Sequence, residues 1–294
     1  MRPALCVVLL VIAAAGEAAE YPRPELLVDP AELIDHAFGR ETSFSEAGVA
    51  LIDVRPPGGD GEIALRGARR IDVGEWKQAF RDGEGAAAWS ERIGRVVHHP
   101  DATVVVVDDG VTPDAARAWW ILKYWGVEDA RLANTNAGQL RQAALRMALS
   151  SHQRTPPQAP FVAKAHPERL ATRGEVRASA VGGGQAVCLV DTRSDDEVRD
   201  GKIPSADHAE WSRFVDPQTG KMRPADELKR LLSGAGFVPT EPSIAYCRSG
   251  GRASVVAFAM ELMGGERVAN YHGSWSDWSS DPTAPVEKPA PAAP

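Results

Sequence analysis

The sequence predicts an α/β protein made of two similar halves, each a small parallel sheet flanked by helices. Three observations carry this. Leu51-Ile52-Asp53-Val54-Arg55 recurs as Leu189-Val190-Asp191-Thr192-Arg193, and internal self-similarity signals a repeated structural unit. Each copy is followed by a second short apolar run, Val104–Val107 or Ser243–Tyr246, then by a Gly-containing loop and an apolar helix. Strand and helix alternate throughout, and short apolar runs bounded by Gly, Asp and Pro read as parallel strands covered by helices on both faces.

Composition sets the outer limits. The chain has 294 residues, 44% hydrophobic and 25% charged, which is ordinary for a globular protein and long enough for two domains. With 33 Lys and Arg against 40 Asp and Glu, the net charge is −7. A mildly acidic chain has no electrostatic reason to bind nucleic acid or an anionic membrane surface. Three cysteines cannot staple a chain of this length, and no Cys-x-x-Cys pair suggests zinc.

The elements follow in order. Residues 1–19 resemble a secretory signal peptide: Arg2 opens it, Leu5–Ala15 forms an apolar core too short to span a membrane, and small residues follow. Past that point no apolar run is long enough to cross a membrane. The mature protein is therefore expected to be periplasmic or secreted, without stable membrane insertion. It then keeps two cysteines, and Cys188, inside Ala186-Val187-Cys188-Leu189-Val190, reads as a buried strand residue.

The first half spans 20–149. Its helix after Val104–Val107 begins with Thr112 as N-cap and Pro113 at the first helical position, and Gly126 stops it. A short strand, Arg131–Ala133, follows. Residues 150–163, polar and Pro-rich at their core, read as the linker. The second half spans 164–280, with a helix over Arg252–Met263 stopped by Gly264-Gly265, then a strand over Arg267–Ala269. Residues 281–294 are Pro- and Ala-rich without periodicity, which predicts a disordered tail.

One loop carries chemistry. Cys247 follows the strand Ser243–Tyr246, and Arg248-Ser249-Gly250-Gly251-Arg252 leads into a helix. Ligands bind beyond the carboxyl ends of strands in open α/β sheets. Glycines let successive N–H groups face one concavity, and the helix start adds free donors and partial positive charge. Arg248 and Arg252 add full charges. Together these favour a thiolate over a thiol and suit an anionic substrate. The Asp-x-Arg pairs, Asp53 with Arg55 and Asp191 with Arg193, read instead as structural ion pairs.

Cys247-Arg248-Ser249-Gly250-Gly251-Arg252 resembles the active-site loop of the rhodaneses, the thiosulfate sulfurtransferases. Gly201-Lys202-Ile203-Pro204-Ser205-Ala206 and Asn270-Tyr271-His272-Gly273-Ser274-Trp275 are similar to two further family segments. The two halves resemble the tandem-rhodanese arrangement over about residues 25–280. Asp108 takes the place of the cysteine in the first half, which Ala116-Arg117-Ala118-Trp119-Trp120 also marks as the non-catalytic domain. Four departures accompany this, one being the lack of the long insertion that many tandem members have before the Gly201–Ala206 turn. Lys202 and Ser205 alter one turn, His272 stands where the family has Asp, and Glu197 occupies a position that is arginine in many tandem members.

The resemblance implies a double displacement without cofactor or metal. Cys247 attacks the outer sulfur of thiosulfate, sulfite leaves, and a persulfide passes its sulfur to cyanide or a thiol. It assigns Cys247 as catalytic, and Arg248, Ser249, Gly250, Gly251 and Arg252 as substrate-binding. Trp211 and Trp275 are candidates for the pocket wall. The partners are a small anionic sulfur donor and a thiol or cyanide acceptor, with a protein as a further possible acceptor. Alternatives remain open. Those are a 3-mercaptopyruvate sulfurtransferase, whose loops usually carry Gly where Arg248 stands, and a non-enzymatic persulfide carrier. A Cys-based phosphatase fits less well, because its loop runs Cys-x5-Arg and this one runs Cys-x4-Arg.

Overall fold

The computed structural model describes residues 20–57, 65–152, 157–182 and 187–288. The expected signal peptide over 1–19 lies outside them. Among the described residues no helix is long and apolar enough to cross a membrane.

The first half runs β1 (Leu27–Val28), α1 (Pro30–Ala37), β2 (Val49–Asp53), β3 (Arg69–Arg70), α2 (Val73–Arg81), α3 (Ala86–Gly94), β4 (Thr103–Val107), α4 (Pro113–Tyr124), β5 (Ala130–Ala133) and α5 (Ala137–Ala148). The second runs α6 (Arg173–Ala180), β6 (Cys188–Asp191), α7 (Asp195–Arg199), β7 (Asp207–His208), α8 (Ala225–Gly234), β8 (Ser243–Tyr246), α9 (Gly251–Leu262), β9 (Val268–Asn270) and α10 (Ser274–Trp278). The sheets have strand orders β1-β5-β4-β2-β3 and β7-β6-β8-β9. All their pairings are parallel. The fold is thus the predicted pair of helix-flanked parallel sheets.

Local sequence explains the main elements. Every residue of β4 is buried, and all but the first of β2, as expected of strands covered on both faces. Thr112 accepts from the Ala115 N–H at the start of α4, with Pro113 in its first turn. The register sets Asp53 beside Val107 and Asp191 beside Tyr246. Asp108 and Cys247 therefore leave their sheets at equivalent points.

Each Asp-x-Arg closes on itself. Arg55 donates to both Asp53 oxygens at 3.0 and 2.7 Å. Arg193 does the same to Asp191, and also donates to the carbonyl of Gly201 at 2.7 Å, tying the strand end to the following turn.

The halves share one core. α4 packs on α9, where Trp119 and Phe258 meet edge to face at 4.9 Å. That explains why α9 is buried on every side. The Val111 N–H donates to the Gly220 carbonyl at 2.8 Å, and Arg23 to that of Leu262 at 3.1 Å. Within the linker, Phe161 and Ala163 are buried, and the next residue, Lys164, donates to the Trp125 carbonyl.

The expected disorder of 281–294 needs correction for its first part. Lys202 and Glu287 exchange backbone hydrogen bonds at 2.9 Å, Glu287 accepts from the Ser205 N–H, and the Trp278 indole donates to the Pro285 carbonyl. A segment without periodicity is still ordered once a neighbouring turn offers free backbone groups. Residues 289–294 lie outside the described residues.

Candidate active site

Cys247 directly follows β8, with 1% of its surface exposed. Its sulfur receives the Gly250 N–H at 3.1 Å and the Ser249 N–H at 3.4 Å. These donors stand at the start of α9, where partial positive charge adds to theirs. Ser274 accepts from the Cys247 N–H at 3.1 Å and sits 4.0 Å from the sulfur. The segment around α10 buckles the loop in place, as Trp275 and Ser276 donate to the carbonyls of Cys247 and Arg248. Ser274 holds a positive φ of 56° to do so.

Gly250 has φ +90°, and a Cβ there would lie 2.6 Å from the His272 ring. Only glycine fits both the backbone and the space. Its carbonyl accepts from Asn270 Nδ2 and from Ser254 Oγ, each at 3.0 Å. Both faces of the turn are therefore anchored.

The arginines separate. Arg248 is exposed at the loop tip. Arg252 lies within electrostatic reach of Cys247, but its two terminal nitrogens are held by the Glu197 carboxylate at 2.5 and 2.9 Å. Arg252, expected to bind substrate, is thus ion-paired with Glu197 beside the sulfur. The hydrogen bonds from Arg252, and less so from Ser194, outweigh burial and bring the Glu197 carboxyl down to about 2. Trp275 lies under the Arg193 guanidinium at 4.3 Å, a structural stack.

Two further residues meet the loop from outside it. Arg117, on α4, donates to the Ser249 carbonyl at 2.8 Å and faces His272 Nε2 at 3.1 Å. Because a guanidinium only donates, His272 accepts through Nε2 and is neutral. Burial, then Arg117, Lys77 and Arg81, push its pKa down to about 3. His272 also stacks on Trp120 and meets Phe80 of α2, with centroids at 5.3 and 4.9 Å. A buried arginine in the otherwise apolar face of α4 was the available signal for the first of these.

The His272 proton has a measurable consequence. An unfolded histidine protonates below about 6.5, whereas the folded one stays neutral to about 3. The unfolded state therefore binds the extra proton, and stability falls as pH drops below 6.5. Unfolding free energies from urea titrations between pH 7 and 5 should fall more steeply in wild type than in His272→Gln, by up to about 1.4 kcal/mol per pH unit. Parallel slopes would contradict the assignment of a neutral, buried imidazole.

In the first half, the Asp108 carboxylate occupies the point equivalent to Cys247. It accepts from the Asp109 N–H at 2.8 Å and from the Thr112 hydroxyl. The turn there holds a carboxylate instead of a thiol. Among the described residues no cluster of three or more His, Cys, Asp or Glu could hold a metal ion.

A duplicated α/β fold with one thiol cradled beyond a strand end defines the class: a protein of two similar helix-flanked sheets with a cysteine-bearing loop. The description "Rhodanese-like domain" matches residues 173–281. A Haloferax volcanii protein provisionally named a thiosulfate sulfurtransferase is 33% identical over 228 residues, covering 72% of this chain and 75% of its own. The thiosulfate sulfurtransferase of Azotobacter vinelandii is 26% identical over 274 residues, covering 89% and 97%. A sulfur carrier protein of Thermus thermophilus, TtuD, is 28% identical over 298 residues, covering 91% and 98%. The crystal structure of YnjE superposes with a TM-score of 0.74 at 25% identity, covering 93% of this chain and 70% of its own. The chain belongs to the rhodanese family of sulfurtransferases.

Proposed function

We propose that this sulfurtransferase takes the sulfane sulfur of thiosulfate onto Cys247 and passes it to cyanide or a thiol. The observation that carries the reading is the pair of N–H groups, from Ser249 and Gly250, aimed at the Cys247 sulfur. In the first step the thiolate attacks the outer sulfur of thiosulfate. The sulfur–sulfur bond breaks, its electron pair leaves with sulfite, and a Cys247 persulfide anion remains. In the second step cyanide attacks the outer sulfur, forming thiocyanate and restoring the thiolate. A thiolate acceptor does the same and becomes a persulfide itself. Sulfite is a good leaving group, so no proton donor is needed, in keeping with a neutral His272. The loop amides stabilise negative charge on either sulfur.

Arg248, exposed at the rim, meets the dianionic end of the donor. A planar guanidinium can hold two oxygens at once. Mercaptopyruvate is longer, carries one carboxylate, and needs the room that Arg248 fills. The protein treated with thiosulfate should gain one sulfur, about 32 Da, in an intact-mass spectrum. Its kcat/KM should favour thiosulfate over 3-mercaptopyruvate, and Arg248→Gly should cost roughly tenfold or more on thiosulfate. No adduct, or a wild-type preference for mercaptopyruvate, would overturn the reading.

A second reading, delivery of the persulfide to a protein acceptor, is favoured by the likeness to the Thermus sulfur carrier. Rapid discharge of the adduct by small thiols alone speaks against it. Export to the periplasm or beyond rests on residues 1–19. The mass of the protein recovered from the cell envelope tests it, since the leader should be missing.

A further inference from the structure

Arg117 belongs to the first half, yet its guanidinium is engaged by the second. Its Nη1 donates to the Ser249 carbonyl at 2.8 Å. That carbonyl and the Gly250 N–H belong to one planar peptide unit, with the two bonds pointing opposite ways. The Gly250 N–H in turn donates to Cys247 Sγ at 3.1 Å. A cation on the carbonyl side fixes where the N–H points and strengthens it as a donor.

The surroundings of Arg117 fit that task. It is 5% exposed, and among the described residues it makes no ion pair with a carboxylate. A buried cation without a counter-ion is costly. Burial accordingly pulls its pKa down from the ordinary value, while Cys247 and, less so, Asp114 pull it back up. His272, being neutral, accepts a hydrogen bond but offers no charge. Gly251 provides the slot: a Cβ there would stand 2.6 Å from Arg117 Nη2. The second glycine of the loop is thus required by the first half's guanidinium.

We propose that Arg117 is a positioning residue for sulfur transfer, holding the 249–250 peptide with its N–H on Cys247 and supplying the counter-charge for the anionic sulfur. The proposal rests on Cys247 as the sulfur carrier. It gives the thiol-free half a defined task in the reaction, carried across the α4–α9 interface.

The test uses the full chain and a single-turnover measurement of sulfur uptake, by rapid quench and intact mass, with thermal unfolding alongside. Arg117→Met should slow uptake roughly 10- to 100-fold while KM for thiosulfate stays within about threefold, because the lost interaction acts on the reacting sulfur. Arg117→Lys should recover part of the rate. Millimolar guanidinium, far below denaturing levels, should speed Arg117→Ala and leave Arg117→Met unchanged, since methionine fills the space. Gly251→Ala, which crowds the guanidinium without removing it, should also slow uptake and covers the case in which Arg117→Met does not fold. Wild-type uptake in a folded Arg117→Met, or in Gly251→Ala if the former does not fold, would overturn the proposal. So would no response of Arg117→Ala to guanidinium. A wild-type protein that takes no sulfur onto Cys247 would instead sink the thiosulfate reading.

Discussion

Cys247→Ser is expected to abolish both the sulfur adduct and sulfite release, with turnover at the limit of detection. The substitution exchanges one atom, so the fold should survive, and the loss is chemical. A serine hydroxyl does not ionise near neutral pH and cannot carry a persulfide. The two N–H groups from Ser249 and Gly250 would then face a neutral oxygen. Cys188→Ser is the matched control. Cys188 starts β6, donates to the Ala235 carbonyl at 3.1 Å, and burial pushes its thiol up to about 11. It is an unreactive thiol at neutral pH, and its loss should change turnover less than about twofold, as for a site remote from the chemistry. Sulfite-release assays on both variants decide the matter. Equal losses in the two would mean that Cys247 is not the carrier.

The second large effect is expected from Gly250→Ala. Its left-handed backbone costs an alanine about 1–2 kcal/mol. The added methyl would also lie 2.6 Å from His272 Cδ2, a ring fixed by Trp120, Phe80 and Arg117. With the ring held, the loop has to give, and the Gly250 N–H leaves the sulfur. Removing one such donor typically costs about 100- to 1,000-fold in rate. Gly83→Ala separates strain from chemistry. Gly83 has φ +73° and open space around its Cβ position, so it should lose comparable backbone stability and no activity. Paired urea titrations and kcat/KM values test both. Full activity in Gly250→Ala would show that the turn does not set the donor geometry.

Much of this was legible in the sequence, for physical reasons that differ from element to element. The strand Ser243–Tyr246 agrees with β8 at both ends, because an apolar run between Pro242 and Cys247 has little freedom to be anything else. The cap at Thr112 and the stop at Gly126 bounded α4 to within one residue. The loop itself was legible because its chemistry is local. What lay hidden was non-local. The Glu197–Arg252 pair joins residues far apart in sequence, and nothing around Glu197 announces its partner. Arg117 reaches the loop only through the packing of α4 on α9, and the all-round apolar character of α9 says that it is covered but not by what. His272 stands in a contiguous segment, whereas its neutrality depends on burial and then on cations from α2 and α4.

The strap formed by residues 281–288 bears on how the molecule can be handled. Its backbone pairing with Lys202 and the bond from Trp278 to Pro285 tie it to the turn on which Arg193 also closes. An affinity tag, fluorescent fusion or immobilising anchor should therefore be joined beyond Lys288. A junction placed at Ser280, where the Pro- and Ala-rich composition invites it, would strip the hydrogen bonds that Lys202 and Ser205 make to Glu287 from the second half.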